Sequence, residues 1–277
     1  MKPKQAVAQK EVVTSRPQDR AVELKSEKEI TALKVSGRLA GELLLFLCGQ
    51  TKSGMTTDDL DRMAARWIRE HGAKPAFLNY RGFPKTICVS INDEVVHGIP
   101  GARKILEGDI VSIDVGLFYD GWCGDTARTI AIGKVSPEAA RILDVSKKSL
   151  SESIQAAQVG KRLGDVSYAM QSIAEKAGFQ VVRNYGGHGI GRAMHEDPHV
   201  PCAGKPGTGM RLSAGLVLAL EVMVNQGTSE IFHKPDGWTV LTQDGSLSAH
   251  FEHMVALTER GTEILTEVER SKVKGES

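Results

Sequence analysis

Cysteine is scarce in this chain, and its spacing forms no motif. The 277 residues contain four cysteines, none of them in a Cys-x-x-Cys pair: Cys48, Cys88, Cys123 and Cys202. This spacing implies neither a zinc finger nor a disulfide framework. A reducing compartment suits such a chain best.

Excess charge and long apolar runs are also missing. Lys and Arg number 35 against 34 Asp and Glu, and the net charge of +1 points to neither a nucleic-acid surface nor a membrane surface. No run of about 18 apolar residues exists, and the N-terminus lacks the apolar core of a secretory signal. We therefore expect a cytoplasmic protein with no membrane partner and no direct nucleic-acid binding.

The length favours one large domain over two smaller ones. Residues 1–25 are polar and poor in acids, so we expect a flexible N-terminal tail, with an organellar transit peptide as the alternative. Residues 26–268 form the expected catalytic domain, and residues 269–277 a second polar tail.

Helices and strands alternate along the domain. Ser26 and Glu29 match a capping box before an apolar stripe, which predicts a helix to about Cys48. Further helices are predicted over 57–71, from Ser136 onward and over 164–177, and strands near 86–92, 109–118, 122–132, 216–224 and 249–257. Two helices followed by strands occur twice, which indicates an α+β fold with an internal pseudo-duplication.

A tight turn joins the second and third of these strands. The segment Tyr119-Asp120-Gly121 is typical of a hairpin turn. With the turn centred near Asp120, Asp114 and Asp125 are expected to lie roughly opposite each other on adjacent antiparallel strands.

Four carboxylates lie within or beside apolar runs, where an unpaired charge is expensive to bury. They are Asp114, Asp125, Glu221 and Glu252, and His188 sits between glycines in the segment Gly186–Gly191. Two divalent cations would neutralise four carboxylates, and the imidazole adds a neutral nitrogen ligand. A single zinc would need fewer ligands than these. The residues therefore predict a pair of divalent metals, and manganese, iron(II), cobalt and zinc all remain open.

Other interpretations of the same residues stay open. Asp114 on its own could cap a backbone or pair with an arginine. The glycine-rich segment Gly186–Gly191 could cradle a phosphate, but it lacks the Gly-Lys-Ser/Thr ending of a P-loop. The remaining histidines have no comparable context, and we interpret them as structural or surface residues: His71, His199, His233, His250 and His253.

Short segments over about residues 26–265 carry a more specific pattern. They are Val95–Pro100, Asp114–Gly116, Gly121–Thr129, Gly186–Gly191, His195–Pro198, Asp236–Thr239 and Phe251–His253. Together they resemble the type I methionine aminopeptidases, metallopeptidases of family M24 with the pita-bread fold. The resemblance implies antiparallel sheets covered by helices, and an enzyme that hydrolyses the initiator methionine from nascent proteins and peptides.

The resemblance also implies a role for each site residue. Asp114, Asp125, His188, Glu221 and Glu252 would bind two adjacent metals, with Asp125 and Glu252 bridging them. His97 and His195 would contact the substrate, and Glu221 would also pass a proton from water to the leaving amine. These last three are the expected catalytic residues.

A closed apolar pocket for the methionine side chain is implied as well, formed by Tyr80, Phe83, Cys88 and Trp238, with Phe77 and Met194 nearby. Cys88 is interpreted as a packed hydrophobe, because no base is suggested near it. The chain departs from the family at Met194, where Phe is common, and at Val222, where Pro usually follows the glutamate. A preference for small residues after the methionine comes from the family alone.

Two rival functions remain. An X-prolyl aminopeptidase or prolidase uses a similar metal set, although such chains usually carry an additional N-terminal domain. A catalytically silent binding protein would have lost ligands, and none is lost here. The expected partners are the N-termini of nascent polypeptides, the family usually acts as a monomer, and a transient association of the tail with the ribosome stays open.

Overall fold

The computed structural model describes residues 22–268, so residues 1–21 and 269–277 of the predicted tails lie outside the described range. The described helices are α1 (Glu27–Gln50), α2 (Thr57–Glu70), α3 (Pro137–Ala156) and α4 (Leu163–Lys176), with a short 3-10 helix at Tyr80–Gly82. The described strands are β1 (Lys74–Pro75), β2 (Cys88–Ile91), β3 (Glu94–Val96), β4 (Ile110–Tyr119), β5 (Trp122–Ala131), β6 (Gln180–Val181), β7 (Gly186–Gly189), β8 (Glu196–Pro201), β9 (Val217–Asn225), β10 (Ile231–His233), β11 (Val240–Thr242), β12 (Ser248–Thr258) and β13 (Gly261–Ile264).

Local sequence signals place the helix starts. The Ser26 hydroxyl accepts from the Glu29 N–H, and the Glu29 carboxylate accepts from the Ser26 N–H, which completes the predicted capping box. At the start of α3 the Ser136 hydroxyl accepts from the Ala139 N–H, with Pro137 at the first helical position. Each helix begins within one residue of its predicted start.

Antiparallel strands form the sheets. In the first sheet β4 pairs with β1, β2 and β5; in the largest the order is β13-β12-β9-β7-β8, with β6 also on β9. Strands β10, β11 and β3 form a small third sheet. One core cluster joins α1 and α2 to the first sheet, and another joins α3 and α4 to the largest. The α+β fold with two helix-covered halves is therefore confirmed.

The two main sheets meet along β5 and β12. The Thr126 hydroxyl donates to the Glu252 carbonyl at 2.8 Å, and the Thr129 hydroxyl donates to the His250 carbonyl at 2.9 Å. Thr129 also accepts from the His250 N–H. These buried hydrogen bonds fix the register between the halves and bring Asp125 and Glu252 to one place.

The hairpin between β4 and β5 is correct, but its predicted register is wrong by two residues. Asp114 pairs with Ala127, and Gly116 pairs with Asp125. The loop is only Asp120-Gly121, and both residues have positive φ, 49° and 76°. This two-residue turn matches the twist of the strands. Asp114 and Asp125 are therefore diagonal neighbours on the same face rather than direct partners.

Residues 22–25, assigned to the tail from their composition, pack against the domain instead. Val22 lies against the core, and the Lys25 N–H donates to the Gly215 carbonyl at 2.7 Å. The Lys25 ammonium pairs with Glu196, 171 positions away in the chain. Composition alone could not reveal so distant a partner.

A membrane-spanning helix would need a longer apolar stretch than any helix within residues 22–268 provides.

Candidate active site

Five strands each contribute one of the predicted metal ligands. Asp114 lies on β4, Asp125 on β5 and His188 on β7, while Glu221 on β9 is the direct cross-strand partner of Glu252 on β12. Donor atoms of Asp125, His188 and Glu252 all lie within 4.8 Å of one another. The first half of the chain thus supplies two carboxylates, and the second half supplies two carboxylates and the imidazole.

The orientation of His188 suits a ligand. Its ring Nδ1 lies 2.9 Å from the Gly189 carbonyl, and because a carbonyl only accepts, Nδ1–H is the donor. The Nε2 lone pair then faces the carboxylates, 3.9 Å from Asp125 Oδ2. Metal-bound histidines are usually oriented by such a hydrogen bond on the other ring nitrogen.

Two carboxylate atoms at this site are buried with no hydrogen-bond partner among residues 22–268. They are Oδ1 of Asp114 and Oδ1 of Asp125. A buried acceptor left unpaired costs about 1–3 kcal/mol, and more when it is charged. Oxygen donors with one imidazole are the ligand set of hard or borderline divalent cations. The residues therefore fit a divalent metal site.

The electrostatics support the same conclusion. Burial raises the pKa of Asp125 from 3.8 to about 8, and the neighbouring Glu221 charge adds to the effect. Burial also raises the pKa of Asp114 and of Glu252, and the neighbouring carboxylates reinforce the shift. Without cations these groups repel one another, so bound positive charge would relieve the cluster.

Glu221 differs from the other carboxyl groups. Burial favours its neutral form, but the close His250 ring and the charges of nearby histidines outweigh burial and lower the pKa to about 2. His250 Nε2 lies 2.9 Å from Glu221 Oε2. The contact is close but is not an aligned hydrogen bond, and His250 Nε2 has no hydrogen-bond partner within the described residues. Glu221 is therefore the carboxylate that stays ionised most readily.

A cavity of about 300 Å³ opens over the cluster. All the site residues predicted from the sequence line it: Tyr80, Phe83, Cys88, His97, Asp114, Asp125, His188, His195, Glu221, Trp238 and Glu252. Phe77 and Met194 line it too. Phe83 and Trp238 meet edge to face with ring centroids 5.1 Å apart. Aromatic side chains and the carboxylates thus line the same cavity.

His97 and His195 both line this cavity. His97 follows β3 with φ of 58°, an unusual left-handed conformation for a residue other than glycine. The His195 ring is 4.2 Å from that of His188, and its Nδ1 lies 3.0 Å from the Tyr80 hydroxyl. Desolvation lowers the pKa of both histidines to about 4, and His188 adds to the effect at His195. Both are therefore neutral near pH 7.

Sequence reasoning missed several cavity residues, His250 foremost. His250 was interpreted as structural or surface, whereas it is 2% exposed and lies against Glu221. A signal existed, because positions 250 and 252 are two apart in one strand and so point to the same face. His253 points away and bonds Thr266. The other missed residues are Arg81, Asn184, Tyr185 and His199.

Two alternative interpretations, a phosphate-binding loop and a nucleophilic cysteine, do not fit the structure. The glycine-rich segment is strand β7 within a sheet, so it is not a loop wrapped around a phosphate. Cys88 is buried, and burial raises the pKa of its thiol well above the usual value. A thiol held neutral in this way is a poor nucleophile.

Comparison with known families decides the relationship. The pattern of metallopeptidase family M24 matches residues 31–259. The chain belongs to metallopeptidase family M24. Among its relatives, the methionine aminopeptidase of Clostridium acetobutylicum is 48% identical over 88% of this chain and 98% of its own length. The methionine aminopeptidase of Aquifex aeolicus is 45% identical over 90% of this chain and 100% of its own.

Solved structures agree with this M24 assignment. Methionine aminopeptidase from Rickettsia prowazekii matches with a TM-score of 0.88 and 43% identity, covering 89% of this chain and 100% of that one. Prolidase from Pyrococcus furiosus matches with a TM-score of 0.73 at 20% identity, covering 89% of this chain and 66% of that one. The second likeness shows the shared pita-bread fold alone.

Proposed function

We propose that this chain is a methionyl aminopeptidase, which hydrolyses the N-terminal methionine from proteins and peptides. The observation that carries the proposal is a cavity lined both by a buried carboxylate–imidazole cluster and by apolar side chains. Full-length methionine aminopeptidases at 45–48% identity support the same activity.

We infer that Asp114, Asp125, His188, Glu221 and Glu252 would hold a pair of divalent metals, to which Asp125 and Glu252 would contribute as shared ligands. Four carboxylates match the charge of two divalent ions, and cobalt, manganese, iron(II) and zinc all suit the donors. When bound, the metals would lower the pKa of a water molecule and polarise the scissile carbonyl.

The chain's own residues would then orient the substrate and move the proton. His97 and His195 are neutral, so each offers one N–H to the scissile amide or to the oxygen that develops charge. Glu221 is ionised, and its carboxylate would accept the proton of the attacking water and deliver it to the leaving amine.

The apolar side chains that line the cavity would select methionine. Tyr80, Phe83, Cys88 and Trp238 offer aromatic and sulfur contacts that suit a thioether. Met194 is 4% exposed and adds a flexible wall where the related enzymes commonly have Phe. Val222 is fully buried in β9, which supports the strand placement of Glu221 without the proline of the family. A small second residue of the substrate is part of the proposal.

The biological setting is proposed on the same basis. The substrates would be the N-termini of nascent polypeptides, met by a cytoplasmic monomer that associates at most transiently with the ribosome. The four cysteines, Cys48, Cys88, Cys123 and Cys202, are all free, as suits a reducing compartment. The division into a catalytic domain and two polar tails stays part of this proposal, with residues 22–25 now counted with the domain.

The test is methionine release from Met-Ala-Ser by metal-stripped protein reloaded with manganese, cobalt, iron(II) or zinc. We expect metal-dependent release of methionine and no cleavage of Ala-Pro-Ser. The matched control is Glu252→Gln, which keeps the side-chain volume but removes one ligand charge, and should bind less metal and lose turnover. Cleavage of Ala-Pro-Ser alone would assign the chain to the X-prolyl enzymes, and no turnover with any metal would favour a silent binding protein.

A further inference from the structure

A buried lysine lies just before α1, outside the cavity. The Lys25 side chain is 1% exposed, and its Nζ lies 2.8 Å from Glu196 Oε2 and 3.0 Å from Glu23 Oε2. Burial favours the neutral amine, but the hydrogen bonds and charges of Glu196 and Glu23 outweigh it, so the pKa lies above its usual value. A buried ammonium is retained only with charged partners, and removing the less exposed of the two, Glu196, is costly.

Glu196 connects this lysine to the turn that carries His195. Its Oε1 atom accepts the Ala193 N–H at 3.0 Å, while Oε2 accepts from Lys25. Residues 191–195 contain no helix or strand, so no ladder of backbone bonds holds them. The Gly191 carbonyl accepts the Cys123 N–H at 2.8 Å. The turn is thus tied at one end to β5 and at the other to Glu196.

The packing around the ion pair is close. A Cβ added at Gly191 would lie 2.7 Å from Lys25 Cε and 2.7 Å from Glu196 Oε1. The lysine stem therefore lies directly against the backbone of the turn. Loss of the ammonium would leave Glu196 without its charged partner, and the turn would lose its contact with the lysine side chain.

His195 depends on this turn for its position. His195 is an exposed residue, and its described contacts are the Tyr80 hydroxyl and the ring of His188. We propose that Lys25 is a positioning residue: through Glu196 it holds the turn at residues 191–195 and so fixes His195 against the carboxylate–imidazole cluster. The inference rests on the proposed function and adds that the working enzyme includes residues 22–25.

The test uses the full-length, metal-loaded protein with Lys25→Met and, as matched control, Glu23→Gln. Glu23 contacts the same ammonium, but its side chain is 62% exposed, and exposed pairs contribute little. We expect Lys25→Met to lower kcat for Met-Ala-Ser by up to about 10²-fold, as for a small misplacement of a catalytic group, with KM nearly unchanged. Rates are divided by bound metal per chain, so that unfolded protein does not count. Glu23→Gln should match the parent.

A double-variant comparison separates positioning from general destabilisation. In a His195→Ala background, Lys25→Met should cost little more, because the group it positions is already gone. An equal loss in both backgrounds, or an unchanged kcat for Lys25→Met alone, would overturn the inference. If Lys25→Met does not fold, Glu196→Gln serves in its place, since the amide keeps the acceptor for Ala193 and loses the charge facing Lys25.

A second measurement keeps this inference distinct from the proposed function. Imidazole signals from 15N-histidine protein loaded with zinc identify His195 by its absence in His195→Ala. Lys25→Met should shift or broaden that signal and leave exposed His71 unchanged, whether or not the protein releases methionine. An unmoved His195 signal would overturn the positioning role, while an inactive parent enzyme would overturn only the proposed function.

Discussion

At the residue scale, substitution of His195 can show that metal binding and catalysis depend on different residues. It lines the cavity but donates no atom to the cluster of Asp125, His188 and Glu252. His195→Ala should therefore keep its metals and lower kcat by about 10²–10³-fold, the usual cost of one transition-state hydrogen bond donor. Metal content and steady-state kinetics on the same preparation measure both effects.

The matched control for that substitution is His71→Ala. His71 is exposed and stacks on Trp67 with ring centroids 3.6 Å apart, at the end of α2. It should leave both metal content and kcat unchanged. Normal turnover by His195→Ala would remove this residue from the mechanism.

Single residues also set the limit of what the sequence predicts. The five residues proposed as metal ligands could be picked out because charge in an apolar strand is conspicuous and the flanking motifs are specific. Lys25 could not be recognised, since a lysine in a polar segment looks exposed until its distant partner is known. His250 is intermediate between these cases. Its spacing from Glu252 predicts which face of the strand it occupies, but the sequence does not show that its ring lies next to Glu221.

At the element scale, the contact of α1 with β5 depends on a glycine. A Cβ added at Gly124 would lie 2.2 Å from the Ser36 carbonyl oxygen in α1. Gly124→Ala should therefore push the helix away from the strand beside Asp125, at a cost of about 1–3 kcal/mol. Urea unfolding of the metal-free protein measures the change.

Gly49 supplies the matched control for Gly124. It lies in the last turn of α1, and an added Cβ would meet nothing within 4 Å. Gly49→Ala should be neutral or stabilise by up to about 1 kcal/mol, because alanine favours helix. Equal stabilities for the two variants would contradict the close-packing argument.

A strand could be predicted where its own residues favour a strand, but not where it forms only because adjacent strands pair with it. Strands β4 and β9 are rich in Val, Ile and Leu, and they were predicted from that composition. Strand β7 reads Gly-Gly-His-Gly and has no strand propensity of its own. It forms because β8 and β9 pair with it on either side. Tertiary pairing of this kind leaves no local signal.

At the scale of the whole molecule, the buried carboxyl groups between the two halves make the stability of the metal-free protein depend on pH. In the metal-free protein, folded Asp125 holds its proton up to about pH 8, whereas an unfolded aspartate with a pKa near 3.8 has already lost it. Rising pH therefore favours unfolding across that interval. His97 and His195 act oppositely, since their lowered pKa values cost stability only as pH falls below 6.5 towards 4.

Between pH 6.5 and 8 the contribution of the histidines to the free energy of unfolding is constant, whereas that of the buried carboxyl group still changes. The Tm of chelator-treated protein should therefore fall as pH rises through this window. Bound metal should raise Tm and flatten the slope, because cations replace the protons. Circular dichroism melts with and without metal test this. Metal-free Asp125→Asn is the control and should show a weaker slope; a metal-free Tm that climbs with pH contradicts the prediction.

The overall architecture was predictable because it follows from alternating helices and strands and from motifs spread along the chain. The register between the halves was not, since it depends on buried hydroxyls such as Thr126 and Thr129 bonding carbonyls more than a hundred positions away. Threonine in a strand is common, and nothing local marks these two as links between sheets.

The two-residue turn at Asp120-Gly121 bears on where such a chain can vary in length. Side chains alternate along a strand, so one residue inserted there would either turn Asp125 to the opposite face or break its pairing with Gly116. Residues 205–209, an exposed stretch of the connection from β8 to β9, carry none of the proposed ligands and are better placed to accept an insertion. Length changes among related chains should therefore gather in such connections and avoid the β4–β5 hairpin.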